Sequence, residues 1–322
     1  MPLRSRCSYA TLATAFFVAV LFSSGLARVA HAQLKGHYVP GFTGLENGTQ
    51  APPGITFALP VYFYTTDQIK DDNGNSIGAH PRTNVTFTGP AIAWVTHFKL
   101  LGANFGGAVV PLAFIKSRIE GPSLDVPGSF AFTDIEIEPV QLGWVTKHAD
   151  FVFDYGLFIP TGKWENGGSD NSGLGMWSNL FQAGTTIHLD NEHKWSFSTL
   201  GSYEIHSRKK SADITVGDIL TIESGLGRAF YKIGRVGGKP FPVRIINLGV
   251  VSYEQFKVTG DKAGLLTPLL SGVKDRVFAA GLEGNVILPL SKWVFDLRAE
   301  PEFGARNRTQ GWTFLLTTAY II

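Results

Sequence analysis

The sequence predicts an all-β chain: a single transmembrane antiparallel β-barrel of about 12 strands, with 14 as the alternative, behind an N-terminal Gly/Pro-rich segment. Three observations carry this. Side chains alternate with a period of two over most of the chain, the connections between those stretches alternate short and long, and the tryptophans gather near the stretch ends.

The alternation is plainest in three places. Trp293, Phe295, Leu297 and Ala299 alternate with Val294, Asp296, Arg298 and Glu300. Trp195, Phe197, Thr199, Gly201, Tyr203 and Ile205 alternate with Ser196, Ser198, Leu200, Ser202, Glu204 and His206. Phe151, Phe153, Tyr155 and Leu157 alternate with Val152, Asp154, Gly156 and Phe158. Helical stripes are hard to find, and 37 glycines in 322 residues are too many for a helical protein. An antiparallel sandwich would show the same alternation, one face to a core and one to water.

Connection length separates the two. Candidate strands fall near 55–64, 83–98, 101–115, 129–147, 149–160, 176–190, 193–206, 216–230, 240–258, 271–288, 291–303 and 309–322. Turns after the even strands are tight (Lys99-Leu100, Lys147-His148, Asp190-Asn191-Glu192, Pro289-Leu290), with 231–239 the longest exception. Connections after the odd strands are longer and polar: 65–82, 116–128, 161–175, 207–215, 259–270 and 304–308. A sandwich has no reason to sort its loops this way, whereas an outer-membrane barrel has short periplasmic turns and long extracellular loops. Trp94, Trp144, Trp177, Trp195, Trp293 and Trp312 lie near strand ends, where an interfacial girdle belongs; Trp164 falls in a loop. In the last strand Trp312 is expected in the outer girdle and Tyr320 in the inner one, with Gly311, Thr313, Thr317 and Ala319 facing the lumen.

Residues 1–32 read as a Sec-type signal peptide. Arg4 and Arg6 precede an apolar stretch, Tyr9 to Phe22, and Ala30-His31-Ala32 offers the small-x-small cleavage pattern after Ala32. Cys7, the single cysteine, lies inside it, so thiol chemistry and disulfides are not expected beyond. The leader also holds three of the 28 Lys+Arg (Arg4, Arg6, Arg28), leaving 25 against 26 Asp+Glu. That near-neutral balance gives no argument for nucleic acid. Beyond the leader no segment reaches the roughly 18 apolar residues of a spanning helix, so a membrane would have to be crossed as a barrel. Three parts result: 1–32 signal peptide, 33–54 N-terminal extension, 55–322 barrel.

A charge on the lipid face near the midplane costs about 2–4 kcal/mol, so alternation assigns the strand charges to the lumen. Asp134, Glu136, Glu138, Asp154, Glu204, Asp296, Arg298 and Glu300 are the lumen-lining candidates, with Ile135 and Ile137 facing out. Pro139 marks a bulge, because Leu142 and Trp144 take the opposite parity. The set leans acidic, so any conductance is expected to favour cations. The extension 33–54 is either a flexible periplasmic tail or a plug in the lumen, with Tyr38, Pro40, Gly41, Phe42 and Gly44 the plug candidates and the glycines permitting sharp turns.

Chemistry-bearing motifs are scarce. Gly237-Gly238-Lys239 lacks P-loop spacing and has Pro240 where Ser or Thr must stand; Gly-x-Ser-x-Gly and His-Glu-x-x-His are absent. Asp71, Asn73 and Asn75 resemble the opening of a calcium loop, but the Gly is misplaced and the distal Glu missing, so a solvated polar turn is the better account. No cofactor, metal or enzyme activity is expected. The sharpest enzyme alternative is an outer-membrane lipid-modifying hydrolase using His97, His188 or His206 with Ser196, Ser198 or Ser202, yet parity points His188 and His206 into the lumen.

The segment HYVPGFTGLENGTQAPPG (37–54) and the stretch DIEIEPVQLGWVTKHADFVFDYGLFIPTGKWENGG (134–168) carry a resemblance, as do 171–177, Tyr203-Glu204 and Val216-Gly217-Asp218. They resemble the outer-membrane proteins of the meta-pathway of phenol degradation, whose relatives include sphingosine-induced porin-like (SphA) proteins. The likeness covers most of 37–260 and weakens towards the end, where Ile322 replaces the Phe usual at the last position. It implies a channel in a bacterial outer membrane for uptake of small hydrophobic or aromatic compounds by passive or facilitated diffusion. Its partners would be outer-membrane lipids, those solutes and, during insertion, the barrel-assembly machinery. A structural or adhesive barrel with a sealed pore is the further alternative.

Overall fold

The computed structural model describes residues 35–77, 82–121, 124–128, 130–168, 170–266 and 272–322, so the expected leader, 1–32, lies outside the described residues. Gly36–Ile322 form one compact unit. β1 (Gly54–Lys70) is followed by three crossings that are each broken: β2 (Arg82–Thr88) with β3 (Ala91–Leu100), β4 (Ala103–Val110) with β5 (Phe114–Gly121), and β6 (Leu124–Pro127) and β7 (Ala131–Phe132) with β8 (Ile135–Val145). Eight unbroken strands follow: β9 (Ala149–Ile159), β10 (Ser178–His188), β11 (Trp195–His206), β12 (Ile219–Val236), β13 (Lys239–Lys257), β14 (Arg276–Leu288), β15 (Trp293–Arg306) and β16 (Arg308–Ile321). All pairings are antiparallel, and β16 pairs back onto β1 from Thr56↔Ile321 to Lys70↔Arg308. The result is a closed antiparallel barrel of twelve crossings.

Closure of β16 onto β1 pairs the barrel wall around the ring, which is what hydrocarbon demands of a backbone. The side chains agree. On β1, Ile55, Phe57, Leu59, Val61 and Phe63 are exposed while Tyr62, Tyr64 and Thr66 between them are buried. On β16, Trp312, Phe314 and Leu316 point out while Thr313, Leu315 and Ala319 are buried. An apolar exterior this continuous exceeds the patches that soluble monomers carry and suits lipid. Trp177, Trp195, Trp293 and Trp312 are all exposed near strand ends, and Trp164 sits in the loop between β9 and β10.

Prolines stand at two of the broken crossings and at a register shift in the third. Pro90 lies between β2 and β3 and Pro111 between β4 and β5, and neither can donate to a ladder. Pro139 lies where the β8–β9 register shifts, between Ile137 and Val140. Beyond that shift Gln141 pairs with buried Asp154, whereas before it Glu136 pairs with buried Phe158, so the inward parity changes at the proline.

One expected loop does not exist. Residues 231–239 are not a connection: β12 runs to Val236, and Gly237 and Gly238, with φ 57° and 81°, make a two-residue turn into β13. β11 reaches only to Arg228 on β12 and β14 only to Ile245 on β13, so the hairpin tip pairs with itself alone and projects past the barrel rim. With no sheet on either side both its faces are exposed, and Lys232, Arg235, Lys239 and Arg244 interrupt the alternation that would have marked it. The loops 65–82 and 304–308 also shrink, to 71–81 and to Asn307, because β1, β15 and β16 extend further than their apolar stretches.

Candidate functional site

Residues 36–50 touch side chains on β8, β9, β10, β11, β12, β14 and β15, which a segment can do at once only from inside a closed sheet. His37 opens it. Its N–H donates to Glu204 Oε1 at 2.7 Å, its Nε2 meets Asp134 Oδ2 at 2.9 Å, its Nδ1 meets Ser178 Oγ at 2.7 Å, and its ring stacks on Phe158. Burial pulls this imidazole down, but Asp134 and Glu204 outweigh it and hold the group above its ordinary value. Tyr38 N–H follows onto Glu204 Oε2 at 3.1 Å.

The segment then turns over Glu223. Oε1 of this carboxylate accepts from Gly41 N–H at 2.6 Å and Phe42 N–H at 3.1 Å; Oε2 accepts from Tyr38 O–H at 2.6 Å and Thr43 N–H at 3.3 Å, and also from the Thr43 hydroxyl. The turn needs glycine: Gly41 has φ 81°, and a Cβ there would stand 2.7 Å from Glu300 Oε2. Arg298 Nη1 donates to Gly41 O at 2.8 Å while its Nε and Nη2 clasp Glu283 Oε2 at 2.9 and 2.8 Å. Glu283 in turn accepts from Leu45 N–H at 2.9 Å. Such a buried pair is justified by its geometry, since each charge has several partners. Farther on, Gly48 N–H reaches Thr186, Thr49 Oγ1 reaches Asp150 and Gln50 reaches Gln141. A Cβ on Gly44 would run into Glu283 and Arg298. Pro40 O accepts from Tyr62 O–H at 3.4 Å, and Val39 and Phe42 pack against Tyr62, Tyr64 and Leu315.

Between this segment and the wall of β1, β2, β5 and β8 lies a cavity of about 320 Å³. Val39, Phe42, Tyr62, Val85, Phe87 and Ile115 give it apolar sides, and Asp134, Glu136, Glu138 and Gln182 close it with polar groups. The candidate lumen residues therefore separate into two sets. Asp134, Glu204, Arg298 and, through Arg298 at 3.8 Å, Asp296 are engaged with the segment or its supports. Glu136 and Glu138 face the cavity, and Asp154 Oδ1 and Glu300 Oε2 are buried without a hydrogen-bond partner.

His188 stands opposite Ser196 in the β10–β11 register, but among the described residues no hydrogen bond joins a histidine of the hydrolase alternative to one of its serines. His97 is exposed, His188 Nε2 lies 3.3 Å from Asp150 Oδ2, and His206 Nε2 lies 3.0 Å from Glu204 Oε1. Ser198 donates to Gly44 O and Ser202 accepts from Gln182. Ser178, His37 and Asp134 form a chain of contacts, with Ser178 fully buried. Asp71 is occupied by its own turn, its Oδ1 accepting from Asn73 and Asn75 N–H at 2.9 and 2.8 Å.

Sequence reasoning missed His37, Glu223 and Glu283. Glu223 had a signal: it shares the parity of buried Thr221, opposite Leu220 and Ile222. Flanking Ile219 on its own face blurred that alternation. His37 stands next to Tyr38 in the extension, where no periodicity marks a direction.

No curated protein matches the sequence. Among solved structures the chain is similar to the COG4313 outer membrane channel from Pseudomonas putida F1, with TM-score 0.67 and 13% identity, covering 87% of this chain and 100% of that one. It is also similar to the beta domain of the Bordetella autotransporter BrkA (TM-score 0.45, 10% identity, 83% and 99% covered) and to Pseudomonas aeruginosa OprD (0.27, 11%, 87% and 99%). The first likeness gives the fold as that of an outer-membrane barrel. The family model described as "Putative MetA-pathway of phenol degradation" matches residues 66–318, and the chain belongs to that family.

Proposed function

We propose that this protein is a channel of the bacterial outer membrane that admits small hydrophobic or aromatic compounds by passive or facilitated diffusion, with residues 36–50 as its plug. The observation that carries the reading is the apolar-sided cavity of about 320 Å³ left between that segment and the wall. Its volume falls within the range of small-molecule sites. The family's name and the COG4313 channel of Pseudomonas putida F1 support the same class of role. Under this reading the hairpin turns are periplasmic, the long loops extracellular, and insertion is by the barrel-assembly machinery. Asp134, Glu136, Glu138, Asp154, Glu204, Asp296 and Glu300 against Arg298 make the lumen acidic.

The test is reconstitution. Vesicles holding the protein should take up phenol faster than protein-free vesicles, planar bilayers holding it should pass ions, and deleting the gene should slow growth on aromatic carbon sources. Uptake equal to that of protein-free vesicles together with electrically silent bilayers would end the channel reading.

A further inference from the structure

The inner face of β8 and β9 carries acid without base. Glu136 and Glu138 project into the cavity, and Asp154 lies behind its lining on the next strand, opposite Gln141 on β8 and the cavity residue Gln182 on β10. Gly156, two residues along the same face of β9, lies beside Glu138: a Cβ there would be in ordinary contact with Glu138 Cγ at 3.5 Å. Among the described residues none of these three carboxylates forms an ion pair or accepts a hydrogen bond. Asp154 is only 6% exposed and its Oδ1 has no partner at all. Among the described residues the buried bases have other partners: His37 has Asp134 and Glu204, Arg298 has Glu283, Arg308 has Gln255 and Asp275, Lys257 has Asp261, and Lys209 has the Leu174 carbonyl and the Trp164 ring. Buried carboxylates left unpaired are costly, and a cation supplied from outside would relieve them.

The rest of the cavity limits what that cation can be. Val39, Phe42, Val85, Phe87 and Ile115 offer an apolar surface that a hydrated metal ion would not use. An aromatic or alkyl group would bury against it, and its ring could lie along Phe42 and Phe87. We infer that the cavity is a binding site for amphipathic organic cations, a hydrophobic body on the apolar wall and an ammonium group at Glu136 and Glu138, with Asp154 adding its charge from behind the lining. This rests on the channel reading and narrows it from hydrophobic compounds in general to amines among them.

Two probes with one body and different charge test it, 2-phenylethylammonium and 2-phenylethanol. In calorimetric titration of the purified protein, the ammonium should bind at least tenfold more tightly than the alcohol. The Glu136→Gln/Glu138→Gln/Asp154→Asn variant should lose that preference while still binding the alcohol. Removing three buried charges from a lumen should not impair folding, and retained heat-modifiable migration on gels checks that it has not. Equal affinity of the wild type for both probes, or a preference that survives the triple substitution, overturns the assignment. Ion current in planar bilayers is read separately: current without ammonium preference sinks this inference alone, and silent bilayers with no binding of either probe sink the channel reading with it.

Discussion

Replacing Glu223 by Gln should release the N-terminal segment. The carboxylate collects five donors, four of them from the run Gly41 to Thr43 and one from the Tyr38 phenol, and is fully buried beneath them. Glutamine keeps the volume but retains one acceptor oxygen, and turns an amino group towards an N–H that cannot accept from it and hydroxyls that can accept only by giving up their own donation there. One oxygen can serve two of the five donors, so three donations to this side chain are lost. A buried donor left unsatisfied costs about 1–3 kcal/mol. Taking the low end, because the donors share one anchor and do not add independently, docking weakens by about 3 kcal/mol. That is roughly a hundredfold shift from docked towards released segment. Single-channel recording reads it: the variant should spend a far larger fraction of time in its high-conductance state than the wild type. Folded Glu223→Gln protein with wild-type open occupancy would refute the account, because the segment would then be held by something other than this anchor.

Four further outcomes are expected. The His37 imidazole is held above its ordinary value, so its protonated form stabilises docking below about pH 6.5 and that contribution is lost as pH rises through the elevated value; open occupancy should climb with pH, and His37→Gln should flatten the profile. Gly48→Ala would place a Cβ 2.1 Å from the Thr185 carbonyl carbon, so protease cleavage within 36–50 should accelerate while the barrel stays intact. Leu297 is 60% exposed and paired to Gly284 and Leu316 on the lipid face, so Leu297→Arg should destabilise the barrel by about 2–4 kcal/mol in denaturant titrations from lipid vesicles. Reversal potentials under a salt gradient should show cation preference; anion preference would mean the acidic lumen residues do not line the conducting path.

Much of the barrel was legible in the chain because its signals are local. Period-two alternation fixes which face of β9, β11 or β15 meets lipid, and a proline in a strand marks where a ladder must break, as at Pro139. The final strand behaved the same way: Trp312, Phe314 and Leu316 face out, and Ile322, in place of the usual Phe, still donates its N–H to Ile55 O at 2.8 Å. The hairpin tip at 231–239 was not legible, because a ribbon with no neighbours has no buried face to impose a pattern.

The lumen was legible only in part. Parity can say that Glu204 and Arg298 point inward, but it cannot say what stands opposite them across the barrel. His37 and Glu204 are 167 residues apart and Gly41 and Arg298 are 257 apart, so no local spacing relates them. The sequence by itself determined most of the strands, their faces and the closure of the sheet, since each follows from side-chain period and backbone hydrogen bonding along the chain. Only the tertiary structure decided that the Gly/Pro-rich segment is fastened on Glu223, and that Glu136, Glu138 and Asp154 are left without a counter-charge. Those facts depend on which groups meet in the enclosed interior, where an unmatched charge has little water to compensate it.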